Sequence, residues 1–98
     1  MKIGLLATIE AKPEHAEEVA AMLGGAVELA NAEQHTQAWF AFRVDATTFG
    51  VFDTFGDEAG RRAHLEGRIA AALTEAAATT LAAPPDIREI DLLGVKLP

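Results

Sequence analysis

The stretch HTQAWFAFRVDATTFGVFDTF at residues 35–55 decides the fold. It contains two runs rich in aromatic and β-branched residues, His35 to Val44 and Thr48 to Phe55, which are typical of β-strands. Asp45-Ala46-Thr47 separates the runs, and so short a polar connection is typical of a tight turn. The stretch therefore predicts a β-hairpin.

Side chains alternate between the two faces of a strand, so the pattern also predicts which residues lie together. In the first strand one face carries Ala38, Phe40, Phe42 and Val44, and the other carries Gln37, Trp39, Ala41 and Arg43. In the second strand one face carries Phe49, Val51, Asp53 and Phe55, and the other carries Gly50, Phe52 and Thr54. Both faces of the hairpin hold large apolar groups, so we expect both to be covered.

The segments on either side of the hairpin complete a β-α-β-β-α-β order. Apolar runs predict the outer strands, and apolar residues at helical spacing predict the helices. Glycines weaken both helices, so we expect a local bend or close packing on the sheet in the first and a kink or a split in the second. The predicted elements are a strand at Ile3 to Ile9, a helix from Pro13 to about Asn31 with Gly24-Gly25 inside it, a helix capped by Asp57 with Gly67 inside it and ended by Pro84-Pro85, and a last strand at Ile87 to Leu97.

This order predicts an α+β, ferredoxin-like βαββαβ fold in which two helices cover one face of a four-stranded antiparallel sheet. The 98 residues form a single domain, 1–98, because each half would be too small to hold a core. The second face of the sheet is too apolar to meet water. We expect a second copy of the chain to cover it, which encloses a barrel-like interior able to hold a small ligand.

Composition excludes several classes of partner. Fifteen acidic residues against eight basic ones give a net charge of −7, which argues against nucleic acid and against an anionic membrane surface. The chain has no cysteine, so disulfides, thiolate catalysis and thiolate metal sites are absent. No signal-peptide pattern and no membrane-spanning apolar run is seen, and we expect a cytoplasmic protein.

His64 and Asp53 are the candidate catalytic residues. A histidine early in the second helix is suited to abstract a proton near neutral pH, although a structural hydrogen bond is the alternative. Asp53 lies among apolar neighbours and needs a partner, which the sequence offers as Arg43 or His64. That partnership is catalytic in one interpretation and only structural in the other.

Trp39 and Arg43 share a strand face, where they could stack on a flat ligand and hold an oxyanion. The alternative is interface packing with a peripheral ion pair. His15 and His35 are weaker candidates, expected at the surface. The three histidines lack metal-ligand spacing, so we predict no metal site.

The segment from Thr36 to Gly67 resembles the antibiotic biosynthesis monooxygenase superfamily. The matching features are the aromatic hairpin, the acidic turn after Phe55, and the histidine of DEAGRRAHL. The resemblance implies a dimeric α/β barrel, and oxygenation of a phenolic or quinol substrate without metal or flavin. It also implies roles for Trp39 as a stacking wall, Arg43 as an oxyanion partner and His64 as the base.

Phe40 and Phe52 are further candidate substrate-binding residues. The resemblance, together with this aromatic pocket, implies a cofactor-independent monooxygenase that takes a small aromatic molecule. The chain departs from some oxygenases of the superfamily because it has no tyrosine. A non-catalytic dimer that binds small molecules is therefore the alternative. A haem-degrading enzyme, with His64 as the axial ligand, is a third hypothesis.

Overall fold

A computed structural model describes residues 2–98 and contains the predicted order of elements. The strands are β1 (Ile3–Glu10), β2 (Thr36–Arg43), β3 (Thr48–Phe55) and β4 (Asp86–Asp91). The helices are α1 (Ala16–Gly25), α2 (Val27–Asn31), α3 (Glu58–Leu65) and α4 (Arg68–Ala77), with a 3₁₀ turn at Pro13–His15 before α1. Among residues 2–98, no helix is both long enough and apolar enough to span a membrane.

The four strands form one antiparallel sheet in the order β2-β3-β1-β4. The hairpin partner β3 therefore lies next to β1 at the centre of the sheet, and Leu5 pairs with Asp53 across that central ladder. The helices lie against one face of the sheet. This architecture confirms the predicted α+β, ferredoxin-like fold.

The core lies between the sheet and the helices. Alternate residues of the two central strands point into it and are almost fully buried, as are residues of α1 and α4 that follow helical spacing. The buried side chains include Leu5, Ala7, Ile9, Val19, Leu23, Phe49, Val51, Phe55, Ile69 and Leu73. The face of β3 that packs against the helices is therefore the one that carries Phe49, Val51, Asp53 and Phe55.

The last strand was predicted too long. The sequence pattern extends it to Leu97, but β4 ends at Asp91. The reason is that β4 pairs only with β1, and Asp91 lies opposite Ile3, where β1 begins. Beyond this point the backbone N–H of Leu92 donates to the carbonyl oxygen of Lys2 at 2.9 Å, and residues 92–97 form no further strand.

Both predicted helices are divided. The first breaks at Ala26, directly after Gly24-Gly25, and the second breaks around Gly67. Glycine inside a helix costs about 1 kcal/mol relative to alanine, so these are the positions where packing can most easily interrupt the helix. Of the kink or split expected at Gly67, the structure shows the split. At the first break the backbone stays helical, because the N–H of Ala26 still bonds to the carbonyl oxygen of Met22 at 3.0 Å.

The other face of the sheet, which we call the open face, carries no helix among the described residues, and part of it borders the segment that follows β4. It carries Phe40, which is 53% exposed, and Phe42, which is 42% exposed, together with Leu6. Phe40 stacks on Phe52 with ring centroids 6.2 Å apart. Phe42 lies over Gly50, where an added Cβ would collide with its ring. The apolar second face predicted from the hairpin is therefore present.

Candidate functional site

Asp53 lies at the middle of β3 and faces the helices. Asp53 is 1% exposed, and its cross-strand neighbours are Leu5 on β1 and Trp39 on β2. A carboxylate in such apolar surroundings is stable only if it is paired and hydrogen-bonded. The position of Asp53 therefore demands a charged or polar partner on the helical side of the sheet.

His64 supplies that partner from α3. Asp57 caps the helix by accepting a hydrogen bond from the backbone N–H of Gly60 at 2.9 Å, which starts α3 directly after β3. Two turns later His64 is buried over the sheet, and its Nε2 lies 2.9 Å from Oδ2 of Asp53. The ring of Phe55 contacts the imidazole, with centroids 5.3 Å apart. Of the two partners that the sequence offers Asp53, the structure selects His64.

Glu33 is a third member of the cluster and was missed by sequence reasoning. It follows α2, and its Oε1 lies 2.7 Å from Nδ1 of His64. The hydroxyl of Thr36 donates to the same oxygen at 2.6 Å. Glu33 sits in a polar stretch, Asn31 to Gln37, and no periodicity or motif distinguishes it in the sequence. The structure thus places the imidazole between two carboxylates.

The two carboxylates set the protonation of His64. Burial lowers its pKa, but the hydrogen bonds to Asp53 and then to Glu33 oppose that effect, and the net result is a raised pKa. Because an ionised carboxylate only accepts hydrogen bonds, both ring nitrogens of His64 act as donors. The geometry therefore favours an imidazolium held between the two carboxylates.

A narrow cavity of about 20 Å³ borders the cluster. Its volume is close to that needed for one water molecule. Asp53 and His64 contribute the polar side chains of a wall that is otherwise apolar, formed by Leu5, Ala7, Val51, Leu65, Ile69, Ala70, Leu73 and Ile87. Oδ1 of Asp53 is buried and has no hydrogen-bond partner among residues 2–98. The cluster therefore presents an unpaired, buried carboxylate oxygen next to an apolar cavity.

The structure separates the predicted substrate-binding residues. Trp39 lies beside Asp53 on the helical side and packs against the core, with its indole nitrogen buried and unpaired among the described residues. Arg43 is on the same face but at the edge of the sheet, where it bonds Glu17 at 2.7 Å and lies over the ring of Phe49. Arg43 therefore does not contact Asp53, which corrects the pairing proposed as one alternative.

Phe40 and Phe52 point to the open face, on the opposite side of the sheet from His64. The six predicted site residues thus divide into three groups. Asp53, His64 and Trp39 lie together on the helical side, Arg43 lies at the edge, and the two phenylalanines line the open face.

The remaining histidines occupy different environments. His15 is partly exposed, and its Nδ1 lies 3.2 Å from Glu18. His35 lies near the cluster, with Nε2 3.9 Å from Oε1 of Glu33.

Because both nitrogens of His64 are engaged by carboxylates, neither is available to coordinate haem iron, so the geometry does not support the haem hypothesis. No group of three or more acidic or histidine side chains within residues 2–98 is arranged to hold a metal ion.

Solved structures with the same architecture relate this chain to other proteins. NE2512, a protein of unknown function from Nitrosomonas europaea, is 54% identical and superposes with a TM-score of 0.95, covering 99% of this chain and 94% of that chain. A proposed antibiotic biosynthesis monooxygenase from the same organism has a TM-score of 0.82 at 15% identity, covering 94% and 99%. Another from Caulobacter crescentus has a TM-score of 0.80 at 20% identity, covering 95% and 91%.

No protein-family model and no curated protein matches the sequence. The two more distant structures share the fold with this chain, and the resemblance that residues 36–67 predicted is confirmed at that level. The identity to NE2512 extends over nearly the whole of both chains. This chain therefore belongs to the same family as NE2512 and has the fold of the antibiotic biosynthesis monooxygenase superfamily.

Proposed function

We propose that this protein is a cofactor-independent monooxygenase that acts on a small aromatic, quinol-like substrate. The observation that carries the proposal is the buried Asp53–His64 pair, in which Oδ1 of Asp53 is unpaired beside an apolar cavity. A carboxylate in such surroundings can take a proton from a weakly acidic O–H or C–H group. The antibiotic biosynthesis monooxygenases that share the fold support the same reaction class.

The reaction needs a base and an environment that stabilises an organic anion. The site removes a proton from an electron-rich phenol, and the resulting carbanion or phenolate reduces O₂ directly. For an anthrone-like methylene the overall change is CH₂ + O₂ → C=O + H₂O, so the substrate supplies all four electrons. The imidazolium of His64 provides positive charge close to the anion in a region of low dielectric.

A substrate reaches the pair by displacing part of the cavity wall. Leu65 on α3 and Ile87 on β4 line the cavity and are 37% and 43% exposed, so they separate it from solvent. Trp39 neighbours Asp53 across the β2–β3 ladder but does not line the cavity, and in this proposal it becomes an aromatic wall once the cavity opens. Arg43 stays outside it, because its guanidinium is engaged by Glu17.

We also propose that the protein is a homodimer in which the open faces of two sheets pack together. Phe40, Phe42 and Leu6 would leave a substantial apolar surface in water, and a second copy is the simplest cover. In this arrangement Phe40 and Phe52 line the interior between the sheets.

Sedimentation equilibrium at micromolar concentration tests the dimer. The wild type is expected at twice the 10.4 kDa of one chain, and Phe40→Asp is expected to dissociate it. Val27→Asp is the matched control, because Val27 is similarly exposed at 38% but lies on α2, on the helical side. A wild-type monomer would contradict the proposed arrangement.

A non-catalytic protein that binds small molecules is the second candidate. A groove of about 270 Å³ on the open face favours it, lined by Ala38, Phe40, Phe52 and Thr54 and, after β4, by Leu92 and residues 94–97. This groove is larger than the cavity at Asp53 and contains none of the cluster residues. A hydrophobic metabolite held there would need no proton transfer.

Oxygen uptake by purified, metal-free protein with a panel of quinols and anthrone-like phenols distinguishes the two functions. The wild type and His15→Ala are expected to consume oxygen, because His15 lies in the exposed turn before α1. His64→Ala is expected to lose most of that activity. Absence of uptake with every compound, together with tight binding of the same compounds, would overturn the oxygenase and support the binding protein.

A further inference from the structure

The Glu33–His64–Asp53 cluster contains one group that neither the sequence pattern nor the proposed reaction has used. Glu33 comes from the turn between α2 and β2, and it reaches His64 on the side opposite Asp53. The distances are 2.7 Å from Oε1 of Glu33 to Nδ1 and 2.9 Å from Nε2 to Oδ2 of Asp53. Glu33 is largely buried, with a side chain 13% exposed.

These contacts determine what His64 can do. An imidazole that donates from both nitrogens already holds the proton that a general base would have to accept. Each ring nitrogen of His64 also lies next to a carboxylate, so neither nitrogen is free to accept a proton from a substrate in the cavity. The proton acceptor must therefore be another atom. Asp53 lines the cavity, and its Oδ1 is buried and has no hydrogen-bond partner among residues 2–98.

On the basis of the proposed oxygenase function, we infer that Glu33 is a positioning residue, which holds His64 as an imidazolium so that Asp53 accepts the substrate proton. The cluster then works as a relay with fixed roles. Glu33 supplies a compensating charge, His64 orients Asp53 and stabilises the substrate anion, and Asp53 takes the proton. Without Glu33 the imidazole would face a single carboxylate and could lose its second proton.

The other charged groups near the cluster do not balance the positive charge of the His64 imidazolium. Arg61 on α3 turns away toward Glu58 and Glu89 and donates to the carbonyl oxygen of Gly4. Arg68 at the start of α4 is exposed. His35 also faces the cluster, with its Nε2 3.9 Å from Oε1 of Glu33. The charge state of His64 is therefore set chiefly by Glu33 and Asp53.

Titration of the His64 ring nitrogens by NMR tests the inference without requiring turnover. In the wild type both nitrogens are expected to carry protons at neutral pH, with a midpoint above the reference of about 6.5. Glu33→Gln keeps the size and the acceptor of the side chain but removes its charge. The midpoint is expected to fall by at least roughly one pH unit, since a close opposite charge shifts a pKa by about 1–3 units.

Thr36→Val is the matched control, because it removes the other hydrogen bond to Oε1 of Glu33 and leaves the carboxylate charge in place. It is expected to shift the midpoint much less than Glu33→Gln does. A wild-type His64 that is neutral at pH 7, or a midpoint that does not change in Glu33→Gln, would overturn the inference. Either result concerns the relay alone, whereas failure of the oxygen-uptake assay concerns the proposed function.

The pH dependence of oxygen uptake gives a second readout. If Asp53 is the base and His64 must be charged, the rate falls as the pH rises through the pKa of His64. Glu33→Gln then moves this fall to lower pH. If His64 were the base, the rate would instead rise through the same pKa, and that profile would contradict the assigned roles.

Discussion

Asp53→Asn is expected to reduce substrate-dependent oxygen uptake by about 100- to 10,000-fold, the range for loss of a positioned general base. Asparagine has nearly the same size as aspartate, and its amide oxygen still accepts a hydrogen bond from Nε2 of His64. It cannot accept the proton of the substrate. The change therefore removes the chemistry that we propose for Asp53 while leaving the packing of β3 in place.

The uptake assay should include Asp91→Asn as a control. Asp91 is the last residue of β4 and is exposed, so its loss changes the net charge of the protein by the same amount without touching the cluster. The control is expected to retain wild-type uptake. Equal rates for Asp53→Asn and the wild type would show that Asp53 is not the base.

Phe55→Ala is expected to destabilise the protein by about 3–5 kcal/mol, the usual cost of truncating a fully buried phenylalanine. Phe55 is 0% exposed, and its ring contacts the imidazole of His64. Total stabilities of small proteins are about 5–15 kcal/mol, so this one change should bring the protein close to unfolding at room temperature. Loss of the ring also removes one wall of the pocket that holds His64.

Urea unfolding followed by the fluorescence of Trp39, the single tryptophan, measures this effect. The protein concentration must be held constant across variants, because dimerisation would couple stability to concentration. Val44→Ala is the control, since Val44 is 64% exposed at the end of the hairpin and should change stability little. A loss below about 1 kcal/mol for Phe55→Ala would mean that the core tolerates removal of its central ring, contrary to its burial.

The hairpin was the part of the fold best predicted from the sequence. Its second strand, Thr48–Phe55, has the predicted bounds, and its first strand ends within one residue of them. Short-range alternation and turn residues determine such an element almost completely. The last strand was less predictable because a ladder also requires a partner, and β1 ends before the apolar pattern of residues 92–97 does.

The candidate site was predicted in part. A buried carboxylate at position 53 had to have a partner, and His64 was one of the two residues proposed for it. Arg43 was the other, but its position at the sheet edge brings it to Glu17 instead. Glu33 could not be predicted, because its contact with His64 joins residues that are 31 positions apart. Such a contact depends on how α3 packs over the sheet.

The sequence by itself determined the order of the elements and the sets of side chains that share a strand face, because both follow from local geometry. It could not determine which face of β3 the helices would cover, since Phe49 and Phe52 are equally apolar. Tertiary packing decided that point, and with it the burial of Asp53 and the exposure of Phe40. Only the tertiary structure placed Glu33, His64 and Asp53 in line, since their contacts arise where three separate elements meet.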